Sequence, residues 1–157
     1  MENHMYDYIF SHLPYKSSFL FVDDISFLDG NKVIGHYTLK KDAFFYEDHF
    51  AGNPVTPGAI ITEIMAQTGL VVLGIYLLME TGKGKSLFDA DEPLVPVLTS
   101  TDVSFHKMVL PGEKVTVISR KEYFRFGKLK CHVEMLDEQE GLIAKGVLSG
   151  IVKKFAK

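Results

Sequence analysis

The hydrophobic positions of this chain form one long apolar run and several shorter segments. The long run follows Thr56-Pro57 and extends to Met79, with apolar residues on every side of a helical projection. Threonine is a good N-cap, and proline suits the first helical position because its missing N–H would be unpaired there. The pattern therefore predicts a helix over Pro57–Met79 that is capped by Thr56 and buried on most sides.

The shorter segments predict one further helix and a sheet. Tyr6, Ile9, Phe10 and Leu13 have helical spacing, and Pro14 ends that short amphipathic pattern. The other segments are rich in β-branched and aromatic residues and are separated by turn residues. They predict the strands Phe19–Leu28, Lys32–Leu39, Leu94–Val109, Glu113–Phe126, Lys128–Leu136 and Leu142–Phe155.

The turns between these segments complete the predicted order. Asp29-Gly30-Asn31 joins the first two strands as a hairpin, and Asp137–Gly141 joins the last two. Glu80–Asp91 is polar and contains glycine, which predicts a surface loop after the long helix. Helices and strands are segregated along the chain, which predicts an α+β fold with one antiparallel sheet curved around the long helix.

Composition narrows the class of protein. A chain of 157 residues favours a single domain over 1–157, and it can bury a core without disulfides. A net charge of -3 argues against a nucleic-acid-binding protein. The single cysteine, Cys131, fits a reducing compartment. We see no signal peptide, and the uncharged run Ile64–Met79 is short for a membrane span, so we expect a cytoplasmic protein.

Two polar residues interrupt the apolar helix. Glu63 and Gln67 are four residues apart and therefore share one face of the predicted helix. A buried carboxylic acid is unfavourable unless it is neutral or paired. Glu63 could be a structural acid that pairs with a lysine, or it could belong to a functional site, and Gln67 could orient it by hydrogen bonding.

A longer motif surrounds these residues. From His49 to Gln67 the chain reads H-F-A-G-N-P-V-T-P-G-A-I-I-T-E-I-M-A-Q. This segment resembles the motif of the FabZ-type β-hydroxyacyl-acyl-carrier-protein dehydratases, which have the hotdog fold. Two flanking segments, Leu13–Asp23 and Asp102–Glu113, are also similar to that family. Three departures stand out: Ala51 replaces a proline, Tyr15 replaces a histidine, and the segment before His49 is one residue longer.

The resemblance implies a set of roles. His49 would be the general base and Glu63 the general acid, with Gly58 offering a backbone N–H to the thioester oxygen and Gln67 orienting the acid. Glu63, where relatives that also isomerise the double bond have aspartate, favours dehydration alone. The implied partners are an acyl carrier protein and a second copy of the chain, as a homodimer or a hexamer of three dimers. The active site would be shared between two protomers, without metal or cofactor.

Other interpretations of the same residues stay open. His49 taken alone is a surface-loop histidine, and Gly58 taken alone is a helix-start glycine. A hotdog thioesterase would use Glu63 to position a water molecule, and a non-catalytic hotdog subunit would only bind acyl thioesters. A further set of basic residues consists either of solvated strand ends or of a docking patch for the acidic carrier protein: Arg120, Lys121, Arg125, Lys128 and Lys130.

Overall fold

The computed structural model describes residues 2–82 and 94–154. Helix α1 (Glu2–Ser11) precedes a short 3-10 turn, and a long central helix spans Gly58–Glu80. The strands are β1 (Asp24–Leu28), β2 (Lys32–Thr38), β3 (Leu94–Phe105), β4 (Lys114–Arg125), β5 (Lys128–Leu136) and β6 (Leu142–Lys154). They form one antiparallel sheet in the order β1-β2-β4-β5-β6-β3. The α+β prediction is therefore confirmed.

The described residues leave out parts of two predicted segments. Beyond residue 82, the predicted surface loop Glu80–Asp91 lies outside them, as does Phe155 at the end of the last predicted strand. Within the described part, the Asp29 and Asp137 turns are confirmed. In each turn the aspartate Oδ1 accepts hydrogen bonds from two backbone N–H groups that follow it, at 2.8–2.9 Å.

The central helix differs from its prediction at its start. Its first residue is Gly58, and Pro57 holds the N-cap position with φ -59° and ψ 142°. Thr56 was predicted as the cap, and this is wrong. Its hydroxyl hydrogen-bonds instead to the Tyr46 hydroxyl at 2.6 Å, and its backbone N–H donates to Val109 at 2.9 Å. Thr56 therefore ties two loops together rather than capping the helix.

The middle of the central helix is its most closely packed part. α-Helical turns over Gly58–Ala66 and Leu73–Glu80 flank a π-helical segment, Gln67–Val72, in which all six residues are buried. A methyl group added at Gly69 would lie 3.0 Å from a methyl of Val133, and one added at Gly35 would lie 2.7 Å from Thr68. The helix backbone therefore approaches the sheet more closely than side chains at these positions would allow.

The central helix is long and apolar enough to cross a membrane by length and composition. It spans 23 residues, seven more than the uncharged run Ile64–Met79 on which the expectation was based. However, 78% of its most apolar window is buried inside the protein. That burial is typical of the core helix of a soluble protein, around which this sheet curves.

The first predicted strand is shorter than its hydrophobic pattern suggests. β1 begins at Asp24, and the predicted strand residues before it form the end of a 3-10 turn and an extended segment. The reason is a long-range hydrogen bond, because the backbone N–H of Phe21 donates to Oε1 of Gln67 at 2.8 Å. The Nε2 group of Gln67 also donates to the backbone oxygen of Phe19 at 2.9 Å. Phe19 and Phe21 are therefore bound to the helix, and contact with β2 begins only at Asp23, whose backbone N–H donates to His36 at 2.8 Å.

We predict that Gln67→Leu lowers the free energy of unfolding by about 1–3 kcal/mol, because it leaves the buried N–H of Phe21 without an acceptor. Urea unfolding followed by circular dichroism measures the change. Gln139→Leu, the same replacement on an exposed turn, is the matched control and should stay within about 0.5 kcal/mol of the parent. Equal stability of both variants would show that the Gln67 amide does not hold this segment.

Candidate active site

His49 is held by its own loop. Its ring Nδ1 lies 2.8 Å from the backbone oxygen of Val55, so Nδ1 carries the hydrogen and donates it. The backbone N–H of Val55 donates to the backbone oxygen of His49 at 2.9 Å, and the ring stacks on Phe50. The peptide bond between His49 and Phe50 is cis. Because Nδ1 donates to Val55, the neutral imidazole carries its hydrogen on Nδ1 and leaves Nε2 unprotonated, as a general base requires.

Glu63 and Gln67 are in contact on the central helix. Nε2 of Gln67 donates a hydrogen bond to Oε1 of Glu63 at 3.0 Å. The backbone partners Phe19 and Phe21 fix which end of the Gln67 amide is the donor, because a carbonyl can only accept and an N–H can only donate. Gln67 is fully buried, and its three hydrogen bonds use both amide hydrogens and the oxygen. The orientation of Glu63 is thereby fixed from one side.

Burial changes the acidity of Glu63. Loss of solvation raises the pKa of this carboxyl above its ordinary value, and the hydrogen bond from Gln67 opposes that change in part. Within residues 2–82 and 94–154, Glu63 forms no salt bridge, so the alternative of a lysine-paired structural acid finds no support there. The site therefore favours a neutral carboxylic acid with a proton to donate.

A cavity of about 320 Å³ lies between the central helix and the sheet. This volume is within the usual range for sites that bind small molecules. His12, Pro14, Tyr15 and Glu63 line one part of it, and most of the remaining wall consists of apolar residues from the helix and from β3 to β6. His49 is not among the described residues that line it. A single chain thus places the predicted acid, but not the predicted base, at this cavity.

The start of the central helix carries the third predicted site residue. The N–H of Gly58 has no acceptor within the described part of the chain, as is usual for the first turn of a helix. A methyl group at Gly58 would lie 3.3 Å from the Phe105 ring, so the glycine lets this ring approach the helix start. Gly58 therefore combines a free donor with a close ring contact, and its catalytic role stays a prediction.

Tyr15 is a site residue that the sequence reasoning did not assign. Its side chain lines the cavity together with Glu63. Burial raises the pKa of Tyr15 well above its ordinary value, and the charge of a nearby ionised Glu63 raises it further. The phenol is therefore a neutral hydrogen-bond donor beside the acid. Its only signal in the sequence was that Tyr15 stands where the resembling family has histidine.

Comparison with known proteins identifies similar sequences. The family of FabA-like domains matches residues 13–149. The 3-hydroxyacyl-acyl-carrier-protein dehydratase FabZ of Caldicellulosiruptor saccharolyticus is 36% identical over 137 residues, which cover 83% of this chain and 90% of that protein. FabZ of Clostridium perfringens is 32% identical over 126 residues, covering 78% and 83%.

Solved structures share the fold. The dehydratase heterocomplex ApeI:P of Xenorhabdus doucetiae superposes with a TM-score of 0.73 at 16% identity, covering 95% of this chain and 91% of that one. A hypothetical thioesterase of Streptococcus pneumoniae with coenzyme A gives a TM-score of 0.59 at 10% identity, covering 85% and 88%. At these identities the likeness establishes the hotdog fold, whereas the sequence relatives establish the family.

We predict that Glu63→Gln becomes more stable relative to the parent as pH rises. A raised pKa means that the native state binds the Glu63 proton more tightly than the unfolded state does. The resulting stability is full below the ordinary pKa of about 4.5 and is lost as pH rises through the higher native pKa. Glutamine has no such loss. Melting temperatures from pH 4 to pH 8 measure the difference between variant and parent.

The exposed acid Glu138 supplies the matched control for this titration. Glu138→Gln makes the same replacement at an exposed position, where a substitution usually changes stability by less than about 0.5 kcal/mol. If the difference between Glu63→Gln and the parent stays constant with pH, burial does not perturb the Glu63 carboxyl.

Proposed function

Because this chain belongs to the FabA-like family of dehydratases, we propose that it removes water from (3R)-hydroxyacyl thioesters carried by an acyl carrier protein. The products are trans-2-enoyl thioesters for fatty-acid synthesis or for a related polyene or polyketide pathway. The observation that carries the proposal is Glu63, a carboxyl with a raised pKa that Gln67 orients at an apolar cavity. A hydrocarbon chain fits such a cavity, and in the proposed complex the substrate hydroxyl lies beside the Glu63 carboxyl.

The reaction divides among the proposed site residues. Nε2 of His49 takes a proton from C2 of the acyl chain, and the electron pair forms the C2–C3 double bond. The hydroxyl leaves C3 and takes the proton of Glu63, so that water departs. Because Gln67 donates to Oε1, the carboxyl proton of Glu63 resides on Oε2. The N–H of Gly58 stabilises the negative charge on the thioester oxygen, a type of contact worth roughly 3–4 kcal/mol in the transition state.

The position of His49 supports a site that two protomers share. The cavity with Glu63 lacks the His49 of its own chain. β3 is an edge strand, and Val97, Phe105 and Met108 on and after it expose 44%, 49% and 68% of their surfaces. An exposed apolar edge is a pairing surface. We propose a homodimer through β3, with His49 of one protomer facing Glu63 of the other; three such dimers could form a hexamer.

The proposal also includes the domain organisation, the cellular compartment and the partner protein. The chain would act as one hotdog domain over 1–157, in the cytoplasm, where the buried free thiol of Cys131 stays reduced. Its partner is the acyl carrier protein that presents the substrate. The thioesterase alternative rests on structures that share only the fold, while relatives with substantial sequence identity are dehydratases.

Incubation with a (3R)-hydroxyacyl carrier protein tests the proposed function. We predict an enoyl product, and a loss of about 10²–10⁴ in rate for Glu63→Gln, because general acid–base groups contribute that much. The variant should keep the parent's melting temperature or exceed it. Glu138→Gln is the matched control and should keep full activity. Free carrier thiol instead of enoyl product would indicate a thioesterase, and no turnover would indicate a binding subunit.

Mixing two inactive variants tests the shared site. We predict that His49→Ala and Glu63→Ala protomers regain activity after subunit exchange, because a heterodimer contains one intact site. Random exchange should restore about a quarter of the parent activity, as expected for two equivalent sites. Light scattering should give the mass of a dimer or of its multiple. A monomeric mass, or a mixture as inactive as its parents despite demonstrated exchange, would contradict the shared site.

A further inference from the structure

Two glycines lie inside the central helix and have different surroundings. Gly69 belongs to the π-helical segment and Gly74 to the α-helical turns that follow it. Glycine is an unfavourable residue in a helix interior, because it has more conformational freedom to lose than any other residue. Each glycine therefore requires a structural reason.

Close packing explains Gly69. A methyl group there would lie 3.0 Å and 3.2 Å from the two methyl groups of Val133 and 3.3 Å from Cβ of Ser119. The Ser119 hydroxyl also donates to the backbone oxygen of Gly69 at 3.0 Å. Any side chain at this position would separate the helix from the sheet.

Packing does not explain Gly74. Among the described residues, a methyl group there would come within 4 Å of one neighbour, Cδ2 of Leu129, at an ordinary contact distance of 3.8 Å. Gly74 nevertheless lines the cavity that contains Glu63, and its neighbour Leu129 lines the same cavity. The backbone at this position is α-helical, so alanine would be tolerated and would favour the helix. What the glycine provides is space inside the cavity.

The distance of Gly74 from Glu63 indicates which part of a bound acyl chain would use this space. Glu63, Ala66, Leu70, Gly74 and Leu78 line the cavity at helical spacing and form one stripe. Gly74 follows Glu63 by eleven residues, which is about 16 Å along a helix at 1.5 Å per residue. An extended alkyl chain advances about 1.25 Å per carbon, from a C–C bond near 1.52 Å. A chain whose C3 lies at Glu63 thus reaches Gly74 after roughly a dozen further carbons.

We infer that Gly74 determines the length of acyl chain that the site accepts, and that the missing side chain admits long chains. This inference rests on the proposed acyl substrate. Short chains end before they reach Gly74 and do not depend on it. The last carbons of long chains lie beside Gly74, where a larger side chain would project into the cavity and occupy the volume that they need. Gly74 is a specificity-determining residue and takes no part in the chemistry.

Binding of inert ligands tests the inference without relying on turnover. The probes are acyl-pantetheine amides with butanoyl, octanoyl, dodecanoyl and palmitoyl chains, measured by calorimetry on the assembled protein. In the parent, affinity should rise by up to about fourfold per added methylene over the whole series. In Gly74→Leu the rise should stop before the longest chain, so that palmitoyl binding weakens by about tenfold or more through the loss of contacts to its last two carbons. Octanoyl binding should change by less than about twofold, because that chain ends short of Gly74.

Two further variants distinguish an effect on ligand chain-length preference from an effect on the stability of the protein. Gly74→Ala should raise the melting temperature by about 2–4 °C, because alanine favours the helix and meets no clash. It should weaken palmitoyl binding only slightly. Gly69→Ala is the control for a glycine required by packing. It should lower the melting temperature and should not change the relative preference among chain lengths.

The outcomes distinguish this inference from the proposed function. If Gly74→Leu leaves palmitoyl binding unchanged, or weakens octanoyl and palmitoyl binding equally, the inference is wrong even if the parent forms enoyl product. If the parent forms no enoyl product but Gly74→Leu selectively loses the longest ligand, the proposed reaction is wrong and the inference stands. Selective loss together with enoyl formation supports both.

Discussion

The amide of Gln67 is the interaction on which the rest of this structure depends. It is fully buried, and it binds three separate groups: the backbone of Phe19, the backbone of Phe21 and the carboxyl of Glu63. The two backbone contacts attach the segment before β1 to the central helix. The third contact orients the candidate acid. One side chain therefore takes part in both the fold and the candidate site. The two backbone contacts determine that the NH2 end of the amide, and not its oxygen, points to Glu63.

The central helix contains two residues, Glu63 and Gly74, that lower its stability and that its packing does not require. A helix selected only for stability would have apolar residues at both positions. Burial disfavours the carboxyl of Glu63, and the loss of backbone conformational entropy disfavours glycine at position 74. Both residues face the same cavity. Gly69, in contrast, is required by contact with the sheet. The unfavourable choices are thus concentrated where the helix faces empty space, as expected when a functional site and a core share one element.

The sequence allowed the type and order of the elements to be predicted, because hydrophobic periodicity and turn residues act locally. It failed where a distant group competed with local preference. Phe19–Leu28 has a strand-like pattern, but the hydrogen bonds of Phe21 and Phe19 go to Gln67. Thr56 is a suitable N-cap, but its hydroxyl binds Tyr46. The site followed a similar division: the motif indicated His49 and Glu63, while the place of Tyr15 in the cavity depends on how the N-terminal segment packs.

The surroundings of Glu63 also constrain how the proposed reaction is completed. After the proposed elimination the carboxyl is ionised, and Gln67 provides the one hydrogen bond to it from the described residues. Tyr15 lies beside it with a phenol that stays protonated and can donate a second. Burial still disfavours the charged form and raises the pKa of Glu63, which favours return of a proton. In the proposed reaction His49 holds the proton that it took from C2, and transfer of that proton back through the departing water or solvent would restore both residues. The raised pKa that favours a protonated Glu63 before the reaction would therefore also favour return of the proton afterwards.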